Sequence, residues 1–311
     1  MKIPFVKTNT YGVIASFIFL VVSILSLSFK GLTFGLDFTG GVSLELKYEE
    51  KADLEGIRQS ISKIDNANFV VLNFGSDEKV LIKFQKNDEL AISADTVIKQ
   101  LTTDGYLSTN EDDGLGKVDK SSTIDAQIGD ELRDNGGIAI LVAMFVILIY
   151  IIFRFQIKFG YGAIAALFHD VLIILGIFSL FDLVFDLSVL AAILAVVGYS
   201  LNDSIVVSDR IRENFLDNSK KGNTEVLIND SLNQVFARTI VTSFTTLLVL
   251  FALLIAGGEA LKNFSIALSI GVVIGSYSSI YIVVKILLST GLSKKDMEVI
   301  KNEPEESYSL D

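Results

Sequence analysis

The sequence lacks cysteine and tryptophan altogether and has one histidine and two prolines among its 311 residues. Without cysteine there can be no disulfide, no thiolate nucleophile, no iron–sulfur cluster and no cysteine-bound zinc. One histidine cannot build a histidine-rich metal site, so we expect no metal. A basic face is missing as well, because 37 acidic residues outnumber 26 lysines and arginines. The net charge of −11 therefore argues against a nucleic-acid-binding protein.

Long hydrophobic runs, in contrast, are abundant. Half of the residues are hydrophobic and the mean hydropathy is positive, yet a fifth of the residues are charged. These facts agree only if charged and apolar residues are segregated along the chain. Hydrophobic runs of about 18 residues or more can cross a bilayer as helices. The predicted spans are 11–29, 136–153, 161–181, 187–207, 236–256 and 264–288.

The lysines and arginines that flank the spans predict their orientation, because basic residues accumulate in cytoplasmic loops. Almost all of them fall on one side, whereas the opposite short loops, 182–186 and 257–263, offer only Lys262. The first span is too long for a signal-peptide core and no small-residue cleavage site follows it, so we predict a retained helix. The predicted cytoplasmic segments are 1–10, 208–235 and 289–311, with both termini in the cytoplasm.

The segment 30–135 falls on the extracytoplasmic side, between the first two spans. It holds 21 acidic and 12 basic residues, and therefore −9 of the net charge of −11. Its hydrophobic spacing predicts the order β-α-β-β-α-β of a small ferredoxin-like α+β domain, with Asp53 as a helix N-cap. The expected fold class is thus an α-helical polytopic membrane protein with six transmembrane helices and one extracytoplasmic domain.

Asp203 and Arg238 are ionisable residues within predicted spans, where charge is costly and usually functional. The fourth span runs inward from Leu187, so Asp203 lies about 24 Å from its outer end. The fifth span runs outward to Ala256, so Arg238 lies about 27 Å from the same surface. Similar depths on consecutive helices allow an Asp203–Arg238 pair that takes up and releases protons.

Two interpretations of these residues remain open. As a proton relay they would need a wet or hydrogen-bonded interior, and the first half of the fifth span is rich in hydroxyls. These hydroxyl residues are Thr239, Thr242, Ser243, Thr245 and Thr246. In the second interpretation, Arg238 reaches the interface as a positively charged anchor and Asp203 caps the cytoplasmic end of its span.

His169 and Asp170 lie near the middle of the third span and are weaker relay candidates, as is Asn202 beside Asp203. Adjacent residues on a helix point about 100° apart, so His169 and Asp170 are not expected to act as one ligand pair. A packing role and a part in proton transfer both remain open for them.

Small residues predict close approach or sharp turning of the backbone at two places. In the sixth span, Gly271, Gly275 and Ser279 form a small-xxx-small stripe, which permits close packing of helices. After the first span, Gly40 and Gly41 are expected to turn the chain sharply from the membrane into the extracytoplasmic domain.

Several motifs resemble those of the SecD/SecF family of protein-export proteins, in the RND superfamily. The segment 35–41 resembles the family hallmark, and 198–207 followed by 209–214 resembles the SecF branch. The matching residues are Gly35, Asp37, Gly40 and Gly41 in the first motif and Gly198, Asp209 and Arg210 in the second. Further matches at 129–133, 168–170, 238–239 and 242–243 extend the resemblance over most of the chain, in order.

The resemblance implies a six-span subunit, half of an RND-type bundle, in the bacterial cytoplasmic (inner) membrane. It implies action with SecD beside the SecYEG channel, where the proton-motive force helps to move a preprotein across the lipid bilayer. Asp203 and Arg238 would then be the ionisable pair of this half, with protons as the coupling ion, no bound cofactor and no enzymatic reaction.

Other functions remain as alternatives. An RND-type small-molecule exporter usually carries two six-span halves in one chain, whereas this sequence has one. A membrane protease would need a motif such as His-Glu-x-x-His or Gly-x-Ser-x-Gly, and the sequence contains none. A purely structural scaffold is the third alternative.

Overall fold

Helices, a four-stranded sheet and a two-stranded sheet make up the described part of the chain. A computed structural model describes residues 2–64, 69–74, 76–84, 93–108, 115–124, 126–154, 157–217, 222–293 and 296. The helices are α1 Phe5–Phe29, α2 Leu36–Thr39, α3 Leu54–Ile61, α4 Ala94–Thr103, α5 Ala126–Arg154, α6 Ile157–Leu180, α7 Leu187–Leu216, α8 Thr224–Ala256 and α9 Gly258–Ser289. The strands are β1 Thr33–Phe34, β2 Gly41–Lys47, β3 Phe69–Phe74, β4 Ser76–Phe84, β5 Lys117–Ile124 and β6 Val184–Phe185.

Among the described residues, five helices are long and apolar enough to cross a membrane: α1, α6, α7, α8 and most of α9. They coincide with five of the six predicted spans. The remaining prediction, 136–153, falls within helix α5, where the structure describes a shorter apolar stretch, Asp134–Ile147. The side chains at the end of this prediction, 151–153, lie outside the described ones.

Helix α7 extends beyond the predicted fourth span at its C-terminal end, and α8 begins before the predicted fifth span. Residues 208–235 were expected to form a loop, but α7 continues to Leu216 and α8 begins at Thr224. Most of this inter-span segment is therefore helical. Apolar residues of its two helical parts keep helical spacing and are buried in a shared core. Buried members of this core are Ile211, Phe215, Leu227, Ile228 and Leu232.

The sheet of the α+β part has the strand order β3-β4-β2-β5, with every neighbouring pair antiparallel. The element order from β2 to β5 is the predicted β-α-β-β-α-β. Asp53 caps α3 as predicted, because its Oδ1 accepts a hydrogen bond from Gly56 N at 3.0 Å. Helices α3 and α4 share one apolar core with the sheet. The core includes Val42, Leu44, Leu46, Ile57, Ile61, Val80, Ile82, Val97 and Leu101.

The helices α6, α7 and α9 form the centre of the bundle. In the most apolar 18-residue stretch of α6, 61% of the residues are buried, compared with 11% in α1 and 17% in α8. The faces of α1 and α8 that are exposed in the single chain are strongly apolar, as surfaces next to lipid or another membrane subunit are. Polar side chains buried among α6, α7 and α9 are therefore far from water and need a specific explanation.

Candidate functional site

Three ionisable side chains are buried in the central helices. His169 and Asp170 on α6 are 4% and 0% exposed, and Asp203 on α7 is 3% exposed. A carboxylate in such an environment is unfavourable unless hydrogen bonds or a counter-charge stabilise it. The hydrogen-bond partners of the two carboxylates therefore define the candidate site.

Asp203 lies at one end of a chain of hydroxyl groups. Ser276 Oγ on α9 donates to Asp203 Oδ2 at 3.3 Å, and Ser243 Oγ on α8 lies 2.6 Å from Ser276 Oγ. Tyr199 Oη donates to Ser243 Oγ at 3.2 Å. Each hydroxyl can accept one hydrogen bond while it donates another, so Tyr199, Ser243 and Ser276 lead continuously to the carboxylate.

The same hydroxyls have alternative acceptors on their own helices. Ser243 Oγ lies 2.8 Å from the carbonyl oxygen of Thr239, and Ser276 Oγ lies 2.9 Å from that of Val272. A hydroxyl carries a single proton and can serve only one of its acceptors at a time. Rotation of two serine hydroxyls is therefore enough to connect or disconnect the chain that ends at Asp203.

Arg238 does not form the direct ion pair that the sequence suggested. No nitrogen of Arg238 comes within 4.0 Å of a carboxylate oxygen in the described part of the chain, and its side chain is exposed on α8. The guanidinium still attracts the Asp203 carboxylate at longer range. Arg238 and Asp203 were predicted at similar depth but do not touch, because the Asp203 side chain faces α9. Asn202, one residue away, is also exposed.

His169 and Asp170 form one hydrogen-bonded unit, contrary to the expectation from their spacing. His169 Nδ1 lies 2.9 Å from Asp170 Oδ1. The other carboxylate oxygen, Oδ2, accepts hydrogen bonds from Ser200 Oγ on α7 at 2.6 Å and Ser278 Oγ on α9 at 2.9 Å. Their Cα–Cβ bonds diverge by about 100°, but both side chains are long enough to turn towards each other.

The glycine-rich segment after α1 lies against the outer end of α7. Gly35 N donates to the carbonyl of Phe185 at 2.8 Å, and β1 pairs in parallel with β6. Asp37 Oδ2 accepts a hydrogen bond from Leu187 N, the first residue of α7, at 3.1 Å. Local sequence patterns carry no signal for this contact, because the two residues lie 150 positions apart.

The turn predicted at Gly40 and Gly41 is present. Their φ angles are 71° and 148°, in the region that favours glycine. The strand β2 starts directly after this turn, at Gly41. The segment thus connects the first span, the start of α7 and the sheet outside the bundle.

The small residues of α9 pack against α7. A Cβ at Gly271 would collide with Val196, and one at Gly275 would lie 3.0 Å from Ser200 Cβ. Ser279 is fully buried and donates to the carbonyl of Ser276 at 3.0 Å. Gly198, by contrast, is exposed and has open space around it.

Near the C-terminal end of α7, Arg210 of the second motif links α7 to α8. Its Nε donates to Gln234 Oε1 at 2.6 Å, and its Nη1 donates to Glu213 Oε2 at 2.6 Å. Asp209, its neighbour, is half-buried. In the part of the chain that the structure describes, no three His, Cys, Asp or Glu side chains gather into a possible metal site.

Comparisons with known proteins match nearly the whole chain. Residues 108–293 match the family model described as protein export membrane protein SecD/SecF, C-terminal, and residues 25–52 match that of the SecD/SecF GG motif. The protein translocase subunit SecF of Pseudomonas aeruginosa is 43% identical over 95% of this chain and 94% of its own. That of Vibrio alginolyticus is 38% identical over 95% of this chain and 92% of its own.

A solved structure has the same fold over most of the chain. The crystal structure of SecDF, a translocon-associated membrane protein from Thermus thermophilus, matches with a TM-score of 0.76 and 34% identity. The match covers 93% of this chain but only 39% of the SecDF chain. The glycine-rich segment and the fold of the bundle are thus shared with this family. The chain belongs to the SecD/SecF family of protein export membrane proteins.

Proposed function

We propose that this chain is a proton-coupled accessory subunit of protein export, which acts with SecD beside the SecYEG channel in the bacterial inner membrane. The observation that carries the proposal is Asp203, a buried carboxylate at the end of a chain of hydroxyl groups. The names of the relatives support a role in protein export. The buried carboxylate of Asp203 supports protons as the coupling ion. The subunit acts on a preprotein by movement and catalyses no reaction.

Asp203 has the chemistry of a site where a proton binds and leaves. One hydrogen bond, at 3.3 Å from Ser276, is weak compensation for a buried charge. Protonation removes that charge, whereas the ionised form is favoured by the positive charge of Arg238. A charge that crosses the whole membrane potential supplies about 2.3 kcal/mol per 100 mV. Protonation and release at Asp203 can therefore bias the packing of α7 against α8 and α9.

The helix α7 offers a direct mechanical connection to the extracytoplasmic side. Asp203 lies about 24 Å along α7 from Leu187, whose backbone N–H donates to Asp37. The N-cap residue Asp186 connects this end of α7 to α9, since its Oδ2 accepts a hydrogen bond from Asn263 Nδ2 at 3.0 Å. A shift of α7 would therefore pull on the glycine-rich segment and on strand β2 beyond it.

A second membrane subunit would complete the site. Asn202 and Arg238 are polar, lie at the depth of Asp203 and are exposed in the single chain. Polar side chains at this depth normally face protein or a water-filled cavity, because contact with lipid tails is costly. SecD is the partner we propose, because the similar SecDF chain is much longer than this one.

The proposed topology has six spans with both termini in the cytoplasm, and α5 is the remaining span. The strand order β3-β4-β2-β5, with α3 and α4 sharing one core with the sheet, supports a ferredoxin-like domain. We assign this domain to the extracytoplasmic side, where a preprotein emerges. Its surface would contact the moving chain.

The experiment compares export driven by the proton-motive force in membrane vesicles that contain the variant chain with its partner. Asp203→Asn keeps the shape of the side chain but cannot lose a proton, so export should lose its response to the proton gradient. Asp230→Asn is the matched control, because Asp230 forms a surface pair with Lys2 at 2.7 Å. Export by Asp203→Asn that still follows the gradient as the wild type does would overturn the proposal.

A further inference from the structure

The carboxylate of Asp170 joins three helices at one point. Its Oδ2 accepts from Ser200 on α7 and Ser278 on α9, and its Oδ1 contacts His169 on its own helix. Asp170, Ser200 and Ser278 are each fully buried. Because a buried carboxylate that loses a partner is strongly destabilised, the three helices are held together at this point.

The surroundings of His169 indicate which of its ring nitrogens carries the proton. In the described part of the chain its Nε2 is buried without a hydrogen-bond partner. A proton on Nε2 would be a buried, unsatisfied donor, so the proton belongs on Nδ1, from which it is donated to Asp170. The Asp170 side chain thus has three hydrogen-bond partners, whereas Asp203 has one, at 3.3 Å. Asp170 is suited to constant holding and Asp203 to proton exchange.

The two serines lie next to the Asp203 contact on the same two helices. Ser200 precedes Asp203 by one turn of α7, about 4.5 Å along the axis. Ser278 follows Ser276 by about 3 Å along α9. The helices run in the same direction, since Val196 and Ser200 lie opposite Gly271 and Gly275. A slide of α9 along α7 that stretches the bonds to Asp170 must also displace Ser276 from Asp203.

The packing between α7 and α9 makes their register discrete. Gly275 lies so close to α7 that a Cβ on it would be 3.0 Å from Ser200 Cβ. Backbones in such contact cannot slide smoothly, because each step must move a side chain out of the notch of a glycine. The bundle therefore has a preferred register, and the hydrogen bonds of Asp170 stabilise it.

We infer that Asp170 is a positioning residue for the Asp203 site, and that it holds α7 and α9 at the register in which Ser276 meets the Asp203 carboxylate. This inference rests on the proposed function of Asp203 in proton exchange. Asp170 acts without touching Asp203, through Ser200 on α7 and Ser278 on α9. The other groups that bear on Asp203 are Arg238 and the hydroxyl chain from Tyr199.

The test measures the proton affinity of Asp203 itself. The full chain with its partner is placed in lipid vesicles, and the carboxyl band that disappears in Asp203→Asn is followed by infrared difference spectroscopy over a pH series. Ser200→Ala and Ser278→Ala each remove one bond to Asp170. We expect each to change the proton affinity of Asp203 by roughly threefold or more.

Matched controls come from the same two helices. Ser204 on α7 and Ser265 on α9 are buried, and their hydroxyls have no hydrogen-bond partner among the described residues. Ser204→Ala and Ser265→Ala therefore remove the same atom without a bond to Asp170, and should leave the proton affinity of Asp203 as it is. An equal shift in the controls would mean general loosening of the core and would overturn the inference.

Two further comparisons distinguish a positioning role of Asp170 from a general effect on stability. Asp170→Asn keeps an acceptor oxygen for both serines, so it should remain closer to the wild type than Asp170→Ala. Ser278→Ala and Ser276→Ala should be non-additive in a double-mutant cycle, since one acts through the other. Additive effects on the proton affinity would argue against transmission through Ser276.

The failure of this inference can be told apart from the failure of the proposed function. Unchanged titration of Asp203 in both serine variants would overturn the positioning role, whatever the export activity. If export by Asp203→Asn still follows the proton gradient, proton coupling is overturned. The titration of Asp203 in the wild-type background could still depend on Asp170. If Asp170→Ala does not fold, the serine variants still decide the question, because each leaves the carboxylate in place.

Discussion

The carboxylate of Asp37 accepts a hydrogen bond from the backbone N–H of Leu187 at 3.1 Å. One residue belongs to the glycine-rich segment after the first span, and the other is the first residue of the helix that carries Asp203. A carboxylate at a helix N-terminus satisfies a free N–H group and interacts favourably with the helix dipole. The contact therefore joins the segment that leads into strand β2 to the helix that carries Asp203.

Removal of the hydrogen bond between Asp37 and Leu187 should reduce export more than it reduces the stability of the fold. Asp37→Ala is expected to lower the stability of the chain by about 1 kcal/mol, which is typical of one lost hydrogen bond, because Asp186 still caps α7. Hydrogen exchange should become faster at the first amides of α7. Export should fall, because the outer domain follows α7 less closely.

The control for this hydrogen bond is Asp182→Asn, a change of an exposed carboxylate in the same loop region that pairs with Lys30. It should leave both the hydrogen exchange of α7 and export unchanged. If Asp37→Ala exports as the wild type does, the contact has no part in coupling.

The glycines of α9 should be far less tolerant than the glycine of α7. Gly275→Ala places a methyl group 3.0 Å from Ser200 Cβ, and Gly271→Ala places one against Val196. Overpacking of this kind costs about 1–3 kcal/mol. Gly198→Ala meets nothing within 4 Å. It should be neutral or raise helix stability by up to about 1 kcal/mol.

Thermal unfolding of the purified chain in detergent measures these differences. The order of stability should be Gly198→Ala above both α9 variants. Equal melting temperatures in all three would mean that α7 and α9 are not closely packed in the membrane protein.

Tyr199→Phe should interrupt the hydroxyl chain without disturbing the packing. The change removes the Oη atom that donates to Ser243 at 3.2 Å. If protons reach Asp203 along this chain, proton flux through vesicles should fall several-fold, about what the loss of one relay group costs. Tyr161→Phe, at an exposed position on α6, is the matched control and should keep wild-type flux. Equal flux in both variants would show that protons take another route.

The α+β part should lose stability in acid because of Asp104. Ser60, Lys63 and Gln100 all donate to its Oδ2, at 2.6, 2.9 and 3.0 Å. These bonds, with that of Ser60 the strongest, lower the pKa of Asp104 from 3.8 to about 2. A lowered pKa in the folded state means that the folded form binds fewer protons than the unfolded one. Its stabilising effect is complete above about pH 4 and is lost as the pH falls towards about 2.

Hydrogen exchange of α3 and α4 in the full chain, measured at several acidic pH values, tests this effect. Protection should decrease across that window in the wild type. In Asp104→Asn the decrease should be smaller, since the titrating group is gone. Asp77→Asn removes a carboxylate from an exposed pair with Lys51 and should keep the wild-type pH dependence. The same slope in Asp104→Asn would contradict the assignment.

Local patterns were enough to predict much of the fold. Five spans, the order of strands and helices outside the bundle and the cap at Asp53 follow from hydrophobic spacing and helix-start signals, which act over a few residues. Helices α7 and α8 continue into the segment 208–235, because apolar residues keep helical spacing beyond the predicted spans.

The sequence by itself determined which residues would enter the membrane and that Asp203 and Asp170 would be among them, because composition decides burial in a bilayer. Only the tertiary structure decided what those residues touch. Asp203 meets Ser276 rather than Arg238, and Asp170 meets Ser200 and Ser278. The physical reason is that each residue turns a helix by about 100°, so contacts depend on how neighbouring helices are rotated and shifted. Depth can be read from the sequence, but rotation about the helix axis is set only by packing.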